Sequence, residues 1–213
     1  HRRLQRHAPW LDTRMRPFGV DTAMFSPDGP RAELGPGRHV VQVASFVTVK
    51  AHDVAINAIT RVARSAPDVV LHLVGEGPRR AAIEDHARRS GVADRVRFHG
   101  RLAYDDLPPL FRAADVCLLS SWFETSAMVV MEAAACGRIT VGSDVGSMGE
   151  FAPREFLCDA GDPAALAAVV ERALTLDRGP IESRVLDRVR ADYTVDAMMA
   201  RYLDEYARLV RGG

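Results

Sequence analysis

The sequence predicts an α/β fold, a Rossmann-like parallel sheet with helices on both faces. Two observations carry that expectation. From His39 onward, short apolar runs alternate with helix-like segments, the pattern of strands buried on both faces and joined by crossover helices. The residues of unusual chemistry follow the ends of those runs, where open parallel sheets bind ligands.

In chain order, the first strand is predicted over His39 to Ala44, followed by the loop Ser45 to Lys50 and a helix over His52 to Arg64. The second strand, Val69 to Val74, ends in the turn Gly75-Glu76-Gly77-Pro78, and a helix is expected over Arg79 to Ser90. A third strand over Val96 to His99 leads through Gly100-Arg101 to a helix over Asp106 to Ala113. The fourth, Val116 to Leu119, runs into the polar stretch Ser120 to Ser126 and a helix over Ala127 to Ala135. Strands over Ile139 to Val141 and Glu155 to Cys158 follow, the first of them ending in Gly142-Ser143-Asp144, and then a helix over Pro163 to Ala173. Each helical segment has apolar residues at three- and four-residue spacing. Two more helices are predicted, around Ile181 to Val189 and Thr194 to Val210. The last carries an apolar stripe through Met198, Tyr202, Tyr206 and Leu209 that something must cover.

The chain has 213 residues and 47% hydrophobic content, enough for one well-buried domain with an appendage. Lys plus Arg and Asp plus Glu both number 28, so no net basic field argues for nucleic acid or an acidic membrane surface. Cys117, Cys136 and Cys158 lack CxxC or His/Cys ligand spacing and read as buried thiols of a reducing, cytoplasmic setting, which speaks against a structural metal. No apolar run approaches the roughly 18 residues of a membrane span, and the arginine-rich start HRRLQRH lacks the apolar segment of a signal peptide. The chain opens at His1 without Met and shows little pattern over its first thirty residues, as a fragment would. Ser26 to Arg38, with three prolines and three glycines, reads as a linker.

The most informative segment is SSWFETSAMVVMEAAACG, residues 120 to 137. Thr125 or Ser126 is expected to cap the helix, leaving the amides of Ala127, Met128 and Val129 free at its start. Such a start attracts phosphate through its amides and dipole. Glu124 would stand beside that site and Glu132 further along the helix. Ionised carboxylates accept pairs of hydrogen bonds from sugar and ribose hydroxyls. Taken alone, Glu132 reads equally as a solvated helix residue and Glu124 as a loop charge.

The segment resembles the Glu-x7-Glu motif of the family 4 retaining glycosyltransferases of the GT-B fold, with Glu124 and Glu132 as its two glutamates. LHLVGEGPRR, GVADRVRFHGRL, LPPLFRAADVCLLSS, MEAAACG and the turn Asp162-Pro163-Ala164-Ala165-Leu166 are similar to that family's C-terminal domain, in the same order. The resemblance implies that Glu124 contacts the transferred sugar and Glu132 the ribose. It matches the basic pair that grips the diphosphate to Ser45 and Lys50, of which only Lys50 is a cation. Lys50 and the helix start at Ala127 to Val129 would stabilise the leaving diphosphate without a metal ion or other cofactor. Gly75 and Gly77 permit a tight turn near the ligand, or serve the fold alone. Phe98, His99 and Arg101 match the region that contacts the base, His99 reading equally as a strand-end filler. Trp122 and Phe123 are expected to pack under the loop rather than stack on a ligand.

The same resemblance implies three parts: a lead-in segment and linker over 1–38, coming from an N-terminal GT-B domain; a nucleotide-sugar-binding domain over 39–180; and helices over 181–213 that return towards the N-terminal domain. The implied activity is metal-independent transfer of a hexosyl unit from a UDP- or GDP-linked sugar to an acceptor hydroxyl, with retention. The partners are the donor and the N-terminal domain, with membrane association only through that domain. Alone, the 213-residue chain is expected to turn over little. Ser45, the glycine-free loop Thr125-Ser126-Ala127, and Arg138-Ile139 in place of a proline-containing turn depart from the family pattern. They support an alternative, a nucleotide-sugar-binding module with impaired catalysis. An epimerase on the same fold fits the Glu-x7-Glu match less well.

Overall fold

The computed structural model describes Trp10 and residues 17–211, so the arginine-rich start falls outside the described residues. Six strands form one parallel sheet: β1 (Arg38–Val43), β2 (Val69–Val74), β3 (Val96–Gly100), β4 (Val116–Leu119), β5 (Thr140–Ser143) and β6 (Leu157–Cys158). Their order is β3-β2-β1-β4-β5-β6, the doubly wound order that reverses direction between β1 and β4. The helices are α1 (His52–Val62), α2 (Arg80–Arg89), α3 (Leu107–Ala113), α4 (Met128–Ala135), α5 (Met148–Phe151), α6 (Pro163–Thr175), α7 (Gly179–Asp192) and α8 (Val195–Arg211).

The strands read as continuous apolar runs because both faces of the sheet are buried. Val40, Leu71, Leu73 and Leu118 join one core beneath α1 and α6, while their neighbours Val41, Val74, Cys117 and Leu119 join a second core with α3, α4 and α7. In register, Val40 stands beside both Leu71 and Val116. Between β2 and β3 the pairing slips, with Leu73 beside Phe98 but Val74 beside Gly100, so His99 bulges from the ladder.

Several expected boundaries move. The predicted strand over Glu155 to Cys158 shrinks to Leu157–Cys158, because Arg154–Phe156 winds into a 3-10 turn that buries Phe156. The short helix α5, with Met148 and Phe151 buried, was too brief to show a period in the sequence. The expected division at residue 180 falls inside α7, which packs on α4 and buries Val185 and Val189 in the second core. The linker-like stretch is also fastened: the buried Arg112 donates to the carbonyls of Ser26, Asp28 and Pro30. Before it, Phe25 is buried and Val20 forms a bridge with Thr194. By contrast, α8 has no buried residue, and Tyr206 and Leu209 of its apolar stripe are exposed.

Candidate functional site

The loops that follow β1, β2, β3 and β4 surround a cavity of about 380 Å³ at the carboxyl rim of the sheet. Its position follows from the strand order, since crossovers to opposite faces leave a crevice beside β1 and β4.

From β1 the chain passes Ser45 and makes a 3-10 turn, Thr48–Lys50, which ends at Ala51 in the left-handed region with φ 46°. That conformation costs roughly 1–2 kcal/mol for a residue bearing Cβ and turns the chain into α1. Burial of Ala51 and hydrogen bonds to the preceding carbonyl offset it: Lys50 O accepts from Ser120 Oγ at 2.8 Å and Gln42 Nε2 at 3.3 Å. Lys50 is therefore fixed through its backbone to the ends of β1 and β4. Its Nζ donates to Glu124 Oε1 at 2.5 Å, and Ser121 Oγ donates to the same oxygen at 2.7 Å. The Glu124 side chain is 10% exposed and that of Lys50 25%, so the pair is shielded at the cavity wall.

The start of α4 differs from expectation. Neither Thr125 nor Ser126 caps it through a side chain; Ala127 occupies the cap position. The Met128 amide donates to Ser126 O at 3.0 Å, and the Ala127 amide reaches Ser147 Oγ at 3.4 Å. The loop curls too tightly for a hydroxyl cap. Of the three amides, only that of Val129 is without a hydrogen-bond partner among the described residues.

Glu132 is 6% exposed, lies outside the cavity lining, and accepts from Tyr104 Oη at 2.9 Å. Burial raises its pKa above the ordinary carboxylate range, opposed by the Tyr104 hydrogen bond. It is thus not a solvated helix residue. Tyr104, held edge-on to Phe25 at 5.0 Å, carried no signal in the sequence because its partner lies on another element.

Ser45, Lys50, Gly75, Arg101, Glu124, Ser126, Ala127, Met128 and Val129 all line the cavity, together with Leu102 and Leu107, which sequence patterning did not single out. The other expected residues do not. Gly77 lies outside the lining: a Cβ there would stand 2.6 Å from Phe46 O, so its lack of a side chain serves loop packing. Phe98 packs into the core, 6.1 Å from the Phe46 ring. His99 turns to His72, with Nε2 2.9 Å from Nδ1 of that ring. Thr125 faces a neighbouring hollow with Ser147, Glu150 and Tyr193. Trp122 and Phe123 do not pack under the loop; they are 50% and 63% exposed, because no layer of the described residues covers them at the rim. Trp122 lies against Gly161, where an added Cβ would fall 1.9 Å from the indole.

Among the described residues, no group of three or more His, Cys, Asp or Glu is placed to hold a metal ion. The same residues include no helix long and apolar enough to cross a membrane. The arrangement at the cavity offers a shielded ion pair, a free amide at a helix start and an apolar wall, which suits an anion joined to a hydroxyl-rich or ring-bearing group.

Comparison with known proteins identifies the family. The chain matches the family described as "Glycosyl transferases group 1" over residues 37–176. A D-inositol 3-phosphate glycosyltransferase of Salinispora tropica is 31% identical over 217 residues, covering 90% of this chain and 45% of that protein. The chain therefore spans under half of that relative's length. Sucrose-phosphate synthase from Thermosynechococcus elongatus superposes with a TM-score of 0.86 at 25% identity, over 100% of this chain and 57% of that one. Anabaena Alr3699/HepE, solved in complex with UDP and glucose, superposes with a TM-score of 0.79 at 21% identity, over 89% of this chain and 55% of that one.

Proposed function

The chain belongs to the group 1 glycosyl transferases, with the fold of the C-terminal half of a GT-B enzyme, and from that premise we propose that it holds the donor in a hexosyl transfer. The donor is a nucleoside diphosphate sugar, linked to UDP or GDP, and the acceptor is a hydroxyl. The carrying observation is that Lys50, Glu124 and the free Val129 amide meet at one cavity. UDP and glucose in the Anabaena neighbour support the donor class.

In this reading the diphosphate lies over the start of α4, the sugar at Glu124, the ribose towards Glu132 and the base near Leu102 and Leu107. As the bond from the anomeric carbon to the phosphate oxygen breaks, negative charge passes to the diphosphate. Lys50 and the Val129 amide stabilise it there, in place before the reaction starts. The acceptor oxygen then bonds to the same carbon and passes its proton to the departing diphosphate oxygen, with retention of configuration and without a metal ion. An N-terminal domain supplies most acceptor contacts, and any membrane contact comes through it. The three free thiols support a cytoplasmic location.

Calorimetric titration of the full-length protein with UDP and GDP, beside an assay of nucleotide release, tests the proposal. Binding together with release that Glu124→Ala abolishes is the expected result. The Lys50–Glu124 ion pair and Ser45 favour a second reading, a binding module with impaired catalysis. Tight binding without release across a broad acceptor panel would establish that reading instead.

A further inference from the structure

Among the residues that line the cavity, Lys50, Arg101 and Glu124 are the charged ones. Lys50 and Glu124 are already joined at 2.5 Å, so together they add no net charge to the cavity. Arg101 is different. It is exposed at the end of β3 and has no hydrogen bond or ion pair with any other residue among those described. Arg80, whose guanidinium lies near Gly100, is engaged with Glu76 and Glu84. With 28 basic and 28 acidic residues the chain has no overall field to draw an anion in. Among the described residues, the cavity's positive potential therefore rests on this guanidinium and the start of α4.

The strand order determines what lies between Arg101 and the diphosphate position. Across the rim run the ends of β3, β2, β1 and β4, which bring Arg101, Gly75, Ser45 with Lys50, and Glu124 respectively. β3 and β1 are two strands apart, about 10 Å. The residue between them is Gly75, without a side chain, and Ser45 on β1 is small. Gly75 and Ser45 therefore put little side-chain bulk between Arg101 and the start of α4.

We propose that the Arg101 side chain engages the diphosphate of the donor, supplying from β3 the cation that the β1 loop lacks at Ser45. The inference rests on the donor reading above and deepens it. A planar guanidinium donates two parallel hydrogen bonds to phosphate oxygens, whereas an amine acts as a point charge. Because Arg101 is exposed, replacing it leaves the core untouched.

The test uses the full-length protein and its Arg101→Gln and Arg101→Lys variants, titrated with UDP, GDP, uridine, guanosine and inorganic pyrophosphate. Arg101→Gln should weaken both nucleoside diphosphates and pyrophosphate about ten- to a hundredfold, the range expected for a charge-assisted contact. Nucleoside affinity should change less than about twofold, and Arg101→Lys should recover part of the loss. Equal losses for nucleoside and nucleoside diphosphate would overturn the proposal, since Arg101 would then read the base or ribose. Unchanged affinities in Arg101→Gln would overturn it too. If the unsubstituted protein binds neither UDP nor GDP, the donor reading itself fails and this proposal falls with it.

Discussion

Lys50 and Glu124 are each other's nearest charged partner in the cavity, and an incoming diphosphate must compete with the carboxylate for the ammonium. Ser121 keeps Glu124 oriented when it does, because its hydroxyl donates to the same oxygen. Other titratable side chains influence stability rather than the site. His52 is 1% exposed, edge-on to Phe46 at 4.6 Å, with neither ring nitrogen hydrogen-bonded; burial lowers its pKa to about 4. His72 is lowered to about 3, first by burial and then by the rings of His99 and His39. Both folded values lie below the ordinary histidine value of about 6.5, so below that pH the unfolded chain binds protons that the folded chain refuses. Stability should therefore fall as pH drops from about 6.5 towards 3, with the raised pKa of Glu132 offsetting a small part. Urea unfolding at pH 7 and pH 5 measures this. His52→Leu, which keeps the bulk without the titrating ring, should flatten the loss; an unchanged slope would show that His52 is not a source of it.

At the scale of elements, three histidines form a ladder across the strands at the β3 edge. His39 Nε2 lies 3.1 Å from Gly35 O, its Nδ1 3.0 Å from His72 Nε2, and His72 Nδ1 2.9 Å from His99 Nε2. The carbonyl accepts only, so His39 Nε2 donates to it; where the rings are neutral, each further Nε2 then donates to the Nδ1 of the ring before it. His99 joins this ladder at the point where the β2–β3 pairing slips. The β1 and β2 ends meet by backbone contact at Gly75, whose φ is 136° and where a Cβ would fall 2.1 Å from Ala44 O. Gly91 is a fitting control, since its φ is 71° but nothing lies within 4 Å of its Cβ position. Gly91→Ala should cost roughly 1–2 kcal/mol for the left-handed backbone alone. Gly75→Ala should cost a further 1–3 kcal/mol or so from overpacking, read as a larger drop in denaturation midpoint. Equal effects would mean that the two strand ends part easily.

At the scale of the whole molecule, the described residues enclose the cavity at the sheet rim but leave the outer part of the α8 apolar stripe exposed, Tyr206 by 62% and Leu209 by 56%, while Met198 and Tyr202 are half-buried. The chain spans under half of its D-inositol 3-phosphate glycosyltransferase relative, and the proposed function assigns the acceptor side to an N-terminal domain. The 213 residues alone should show no measurable transfer while the full-length protein does; turnover by the short chain, followed as nucleotide release, would refute this. The sequence by itself determined the parallel sheet and its strands to within a few residues, and it singled out the segment 120–137, of which Glu124 and Ser126 to Val129 line the cavity. Those features are local: apolar runs and three- and four-residue spacing are written in neighbouring residues. Only the tertiary structure decided which residues meet. It placed Lys50 on Glu124, 74 positions away, and Tyr104 on Glu132, 28 positions away. It also turned Phe98 and His99 from the cavity and left Arg101 at its wall. Such pairings depend on strand order, on one slipped register and on a loop that caps its helix without a hydroxyl. None of these is encoded in local periodicity, because each is settled by how distant segments pack.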